Sequence, residues 1–367
     1  MLRKLWKWTK LNRLFFSKMV ERTDAKPVEM SGEEALQYLK KIHPDHGTTA
    51  IRAKKLPKPE NSPYMLDIIV PAYNVEAYID ECVHSILNQK TEYSFRVILV
   101  DDGATDSTPE RIDAFAEYEN VLILHQKNSG VARARNNGIE HSTAPYLMFV
   151  DSDDRLAEGA VQKLMKRAEE TGADLVEGSY FNFKGRQKRN HFQKAGKVTP
   201  LLDFYGMPWG KVYKRFFFEK VAFPEKYWFE DSVLHQLVYP FSKKSEGIRD
   251  IVYERRLVSS SAGHISKGNP RSIETVWVTL HLMRDREQLR IPPDQNYFEY
   301  LMNMAMISYH RLKSLDEKIG QAALAVFSEL LNETCAVYHA QSQERKYLEE
   351  SIRKKQYARF AFCCENI

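Results

Sequence analysis

Two groups of carboxylates in this 367-residue chain are spaced so that they could act together: Asp101 with Asp102, then Asp151, Asp153 and Asp154. Both close short apolar runs, "FRVILVDD" and "YLMFVDSDD". A single aspartate in such a place serves as an N-cap, accepting the free amide hydrogens of a following helix. Two acidic clusters at the ends of two strands exceed what capping requires. Carboxylates converging at a strand edge suit a hard divalent cation such as Mn2+ or Mg2+, held by a few carboxylates together with substrate phosphate oxygens. That chemistry implies a diphosphate ligand. The usual Gly-rich phosphate loops are missing: no G-x-x-x-x-G-K-[ST] occurs, and "VPAYN" stands where a dinucleotide fingerprint would follow the first strand.

The elements that must position these acids are legible between Asp67 and Val150. Short continuous apolar runs, "DIIV", "FRVILV", "VLIL" and "YLMFV", alternate with helical stretches. This predicts βαβαβαβ, an α/β fold whose mostly parallel sheet is covered on both faces. Ligands of such sheets bind beyond the carboxyl ends of the strands, so "PAYN", "DDGATDST" and "DSDD" become the candidate site loops. Further on, the pattern predicts a helix over 157–171, a strand in "ADLVEGSYFNF" and a loop in "GMPWGKVYKRFFFE". From Pro270 the apolar residues recur at helical spacing. Three regions follow: 1–62, a basic amphipathic helix and linker; 63–266, the site-bearing domain; and 267–367, a helical region.

A hydrophobic content of 43%, with 19 Tyr and 19 Phe, supports a full core. The net charge of +5 is too small to argue for nucleic acid. The four cysteines have neither metal-ligand spacing nor a disulfide pattern, which fits a reducing cytosol. No apolar run is long enough to span a bilayer. The first twenty residues carry six Lys or Arg and no acid. On a helical wheel Leu2, Leu5, Trp6, Trp8, Phe15, Phe16 and Met19 oppose Arg3, Lys4, Lys7, Lys10 and Arg13. Such a helix suits an anionic leaflet; the alternative is a terminal helix docked on its own domain.

"IIVPAYNVEAYIDECVHSILNQ", "ILVDDGATDSTPE", "NSGVARARNNGI" and "YLMFVDSDD", in that order, resemble the family 2 glycosyltransferases with the GT-A fold. "PWGKVYKRFFFE" and "YWFEDSVLHQLVY" resemble the second half of bacterial members that build cell-surface polysaccharides, so the resemblance covers residues 64–266. It implies that Pro71, Tyr73, Asn74 and Asp102 hold the nucleoside, with Tyr73 against the base and Asp102 accepting an imide hydrogen, which favours UDP. It further implies that Arg135 approaches the nucleotide, that Asp151 contacts ribose or metal, and that Asp153 ligates the metal. Asp231 would be the general base, with Glu230 beside it, and His264 would lie near the metal or diphosphate. Ala104 replaces the usual serine of the second loop, and the Q-x-x-R-W motif of processive synthases is absent, which points to addition of single sugars.

Trp209 has two readings, stacking on the acceptor sugar or filling the core. Lys211 and Arg215 either steer phosphate or are solvated. The run "KGRQKRN" reads as an exposed hairpin tip. His84 and His235 read as packing residues. The expectation is an inverting, metal-dependent transferase moving a sugar from a nucleoside diphosphate to a hydroxyl of a lipid-linked or cell-surface glycan. It would be cytoplasmic and peripheral on the inner face of the membrane through residues 1–20. The alternatives are a sugar-nucleotide pyrophosphorylase, which needs a Gly-rich loop that is missing, and a non-catalytic sugar-nucleotide-binding module.

Overall fold

The computed structural model describes residues 10–57, 62–258 and 268–367. They fall into two compact units, one of Gly47–Ser261 with His281–Ile291, the other of Met1–His46, Ala262–Leu280 and Pro292–Ile367. In the first unit every residue of β1 (Leu66–Ala72) is buried. A strand covered on both faces has no polar side to alternate with, and its sequence is accordingly apolar apart from Asp67. That one acid accepts from Arg96 and from the Thr143 and Ala144 amides, so its burial is compensated.

β2 (Phe95–Asp101), β3 (Val121–His125) and β4 (Tyr146–Phe149) complete the parallel core that the alternating pattern predicted, and the structure sets their order as β3-β2-β1-β4. Pro71 lies beyond the last β1–β4 pair, Ile69 with Phe149, where its missing N–H breaks no ladder bond on that side. The sheet continues through β5 (Arg155–Leu156), β6 (Leu175–Lys184), β7 (Gln187–His191), β8 (Gly196–Lys197), β9 (Lys211–Lys214) and β10 (Ser245–Arg256). β9 joins β4 to β6 and is antiparallel to both. The helix expected over 157–171 begins later, at Ala160, because Arg155 and Leu156 pair with β10 and Gly159 adopts φ +68° before the helix opens. Neither Asp153 nor Asp154 therefore caps a helix.

In the second unit the helix Gly32–Ile42 carries a complete capping box between Ser31 and Glu34. The helices Gln295–Leu312, Glu317–Thr334, Gln343–Arg353 and Tyr357–Asn366 bear out the helical spacing read after Pro270. The helix Lys10–Arg22 puts Phe16 against Phe362 and Tyr347, at 5.6 and 6.2 Å, and buries Val20. For these residues the docked reading holds, whereas Phe15 is 65% exposed. Residues 1–9, which carry most of the basic face, lie outside the described residues. Among the described residues no helix is long and apolar enough to cross a membrane.

The helix Val131–His141 packs directly on β1, and Gly138 sets how closely. A Cβ there would lie 2.5 Å from Ile69 Cγ2, inside van der Waals contact. Gly138→Ala should therefore lower stability by about 1–3 kcal/mol through overpacking, despite the better helix propensity of alanine. A chemical denaturation midpoint equal to that of the parent chain would show that this close approach is dispensable.

Candidate active site

The second-strand loop is built around Gly103, at φ +68°, where a Cβ would sit 2.7 Å from the Asn128 backbone nitrogen. The tight turn brings Asp101 and Asp102 to the strand end with different tasks. Asp101 accepts from the Ala104 amide at 2.9 Å, so the turn is held through the backbone and needs no serine hydroxyl at 104. Asp102 accepts from Gln126 Nε2 and the Ser129 amide on Oδ1, and from the Gly130 amide on Oδ2. Oδ2, with one donor, retains acceptor capacity. Asn74, at φ +51°, ties the first loop to the second by accepting from the Thr105 amide at 2.8 Å. Beside it Tyr73 is 46% exposed and offers an open ring.

The stretch "ARNNG" resolves residue by residue. Arg135 Nη1 donates to Glu230 Oε1 at 2.6 Å, and its Nη2 donates to Asp151 Oδ1 at 2.9 Å. Asn136 both donates to the carbonyl of Phe223 and accepts from its amide, each at 2.8 Å. Asn137 donates to Gln126, which in turn donates to Asp102. Gly138 admits Ile69. The resemblance placed Arg135 near the nucleotide. Here its guanidinium is buried and joins two acidic elements that are remote in sequence. Burial works against its charge, but Asp151 and Glu230 outweigh burial and raise its pKa. Burial also raises the Glu230 pKa, and Asp231 adds to this while Arg135 opposes it.

Around Asp151 the second acidic cluster divides its work. Tyr253 Oη accepts from the Asp151 amide and donates to Asp154, whose other oxygen accepts from the Arg256 amide. Asp154 is thus structural, and burial with its acidic neighbours pushes it up to about 8. Asp153 is half-buried, and its carboxylate forms no ion pair among the described residues. Burial and then the charge of Asp151 push it up to about 6. A divalent cation would relieve that repulsion, so the donor set fits one. Among the described residues no group of three or more His, Cys, Asp or Glu side chains converges, so ligand oxygens would have to complete the coordination. His264 lies outside the described residues.

Glu230 and half-buried Asp231 precede a π-helical turn, Leu234–Val238, whose N-cap is Val233. Glu230 is engaged by Arg135, so helix capping does not account for it. Trp209 takes the core-filling reading: it is 3% exposed, lies flat on Tyr253 with centroids 4.4 Å apart, and meets Tyr180 edge-on, leaving no face for an acceptor sugar. Lys211 and Arg215 are neither solvated nor open to phosphate. Lys211 is fully buried against Glu177 at 2.5 Å, and Arg215 donates to Ser142 and to the carbonyl of Pro57. Burial holds His235 neutral, with a pKa of about 3, as a packing residue requires. Sequence reasoning passed over Tyr253 and the arginines after it. Their only signal was the polar end of the strand "DIVYERR".

The model of Glycosyl transferase family 2 matches residues 67–229. Glycosyltransferase GlyG of Streptococcus pneumoniae serotype 4 is 32% identical over 218 residues, which cover 54% of this chain and 72% of that protein. Glycosyltransferase GlyA of the same organism is 30% identical over 70% of this chain, which spans only 38% of the relative's length. A poly(ribitol-phosphate) beta-glucosyltransferase of Bacillus spizizenii is 29% identical over 38% of this chain and 23% of its own. S. aureus TarS 1-349, solved in complex with UDP-GlcNAc, superposes with a TM-score of 0.66 at 21% identity, covering 82% of this chain and 90% of that one, and so shares the fold.

Replacing Arg135 by Met would strand Glu230 and weaken the hold on Asp151, at a cost of about 3–5 kcal/mol. Burial already raises the folded pKa of Glu230 above its unfolded value, and loss of the opposing Arg135 would raise it further. Its contribution to stability is therefore intact at low pH and lost as pH rises through the folded value. Arg135→Met should show a larger deficit at pH 8 than at pH 5 in urea denaturation. Equal deficits would show that ionisation of Glu230 does not contribute to the bridge.

Proposed function

Because the chain belongs to the family 2 glycosyltransferases, we propose that it moves a single sugar, with inversion, from a nucleoside diphosphate to a hydroxyl of a lipid-linked or cell-surface glycan. The observation that carries this reading is the Arg135 bridge, which ties the D-x-D element, Asp151-Ser152-Asp153, to the acid pair Glu230–Asp231. Glu230 is engaged in that bridge, and the family resemblance makes Asp231, the second acid of the pair, the base. Its carboxylate takes the proton of the acceptor hydroxyl as that oxygen attacks the anomeric carbon and the bond to the diphosphate breaks. Mn2+ or Mg2+, held through Asp153 with Asp151 adjacent, would supply neutralisation of the departing diphosphate. The remaining work is alignment of donor and acceptor.

Tyr73 offers a planar surface for the base, and Asp102 Oδ2 keeps room for one more donor, such as the imide N–H of uracil. UDP is therefore the proposed nucleotide, and the UDP-GlcNAc bound by TarS is consistent with it. Pro71 and Asn74 shape the turn that carries Tyr73. We place the enzyme on the cytoplasmic side of an anionic membrane, held there by the basic, Trp-bearing sequence of residues 1–9, since part of the following helix is engaged by the C-terminal helices.

Two variants test the chemistry. Asp231→Asn should retain nucleotide affinity yet lose on the order of 10²–10⁴-fold in transfer rate, while Asp153→Ala should lose stimulation by Mn2+ or Mg2+. Near parental transfer by Asp231→Asn would remove it as the base, and full activity of Asp153→Ala in EDTA would remove the metal. Deleting residues 1–9 should abolish sedimentation with phosphatidylglycerol vesicles; unchanged sedimentation would reject the membrane role.

A further inference from the structure

Between Gly178 and Leu202 the chain has six Lys or Arg and no Asp or Glu. Most of these residues lie on the β6–β7 hairpin, and register decides where each points. Opposed residues in adjacent strands share a face. Tyr180 with His191, Asn182 with Arg189 and Lys184 with Gln187 share one face of the hairpin; Phe181 with Asn190 and Phe183 with Lys188 share the other. β10 continues the first face, because Tyr253 pairs with Tyr180 and Arg255 with Asn182. Two rows therefore cross three strands: Tyr253, Tyr180 and His191, and next to it Arg255, Asn182 and Arg189. Tyr180 and His191 stack with centroids 4.5 Å apart, which fixes the hairpin to the sheet.

The charges on the two faces are treated differently. On the second face Lys188 lies over the Phe181 ring, and Arg155 and Arg256 flank Phe183 while pairing with Glu81 and Glu254. On the first face Lys184, Arg189 and Arg255 have no acidic partner among the described residues. The nearby acid, Glu177, is already neutralised by buried Lys211. Arg255 acts electrostatically on Asp153 at one side and, with Arg189, on the Tyr180 hydroxyl at the other. The unpaired charge thus begins at the D-x-D element and runs outward along the hairpin. Two strand spacings separate Arg255 from Arg189, roughly 10 Å, which is further than a diphosphate anchored at Asp153 needs.

We propose that this face is the acceptor track and that the acceptor is a polyanionic chain bearing phosphodiester groups, held by Arg255, Arg189 and Lys184 so that its hydroxyl end reaches the donor. This rests on the transferase reading for the identity of the occupant. The spacing of the cations suits successive charges on an extended polymer, and the arginines supply forked donors to phosphate oxygens.

The test compares two adjacent, exposed residues on opposite faces, Arg189→Gln and Lys188→Gln, which remove the same charge. The probe is long-chain sodium polyphosphate, with binding measured by fluorescence anisotropy across a salt series, and nucleotide release without acceptor is measured in parallel. Arg189→Gln should weaken polyphosphate binding by about tenfold, the loss of one charge-assisted contact, and should reduce the salt dependence. Lys188→Gln should bind as the parent does, and all three should release nucleotide equally. Equal weakening by both variants would reduce the track to diffuse charge and overturn it. Loss of donor affinity in Arg189→Gln would assign the face to the donor instead. Unchanged polyphosphate binding with lost binding to phosphatidylglycerol vesicles would make it a membrane surface. Failure of the parent chain to release nucleotide from any sugar nucleotide would sink the transferase reading alone, since the polyphosphate comparison does not depend on it.

Discussion

The buried guanidinium of Arg135 is the interaction on which the site depends. Asp151 and Glu230 come from loops far apart in the chain, and two carboxylates brought together without a cation would repel each other and lose hydration. One planar cation, donating from different nitrogens, satisfies both and fixes the distance between the D-x-D element and the acid pair.

That bridge is only as accurate as the helix bearing it, and the residues after Arg135 supply the accuracy. Asn136 grips the backbone of Phe223 at both its polar groups, Asn137 reaches the Asp102 network through Gln126, and Gly138 lets the helix approach β1. A motif of four residues thereby connects the loop after β2, the sheet and the acid pair. The aromatic stack of Trp209 on Tyr253 supports the same edge from below, because Tyr253 spends its hydroxyl on Asp151 and Asp154.

Beyond this edge, charge is either cancelled or left open according to face. Asp67, Glu177 and Lys211 are buried and locally satisfied, and they act as structure. Among the described residues, the cations on one face of the β6–β7 hairpin have no such partners, although Lys188 and Arg256 beside them in sequence do. In a strand, neighbours in sequence point to opposite sides of the sheet, so adjacent charges can have unrelated roles.

The sequence by itself determined the parallel core, the alternation of its first four strands with helices along the chain and the edge at which the acids gather. Those follow from local periodicity and from the rule that such sheets bind ligands at their carboxyl ends. It also determined the family, through four ordered motifs. Burial and partnership were decided only by tertiary structure, because each depends on which remote segment a side chain meets. Trp209 became core because Tyr253 and Tyr180 close over it, and Lys211 was drawn inside by Glu177. Arg135 was engaged by acids rather than left open, since only the folded chain brings Asp151 and Glu230 to the same helix. The unpaired face of the hairpin is likewise a product of strand register: "KGRQKRN" states the amount of charge, while the pairing of β6 with β7 and β10 states its direction.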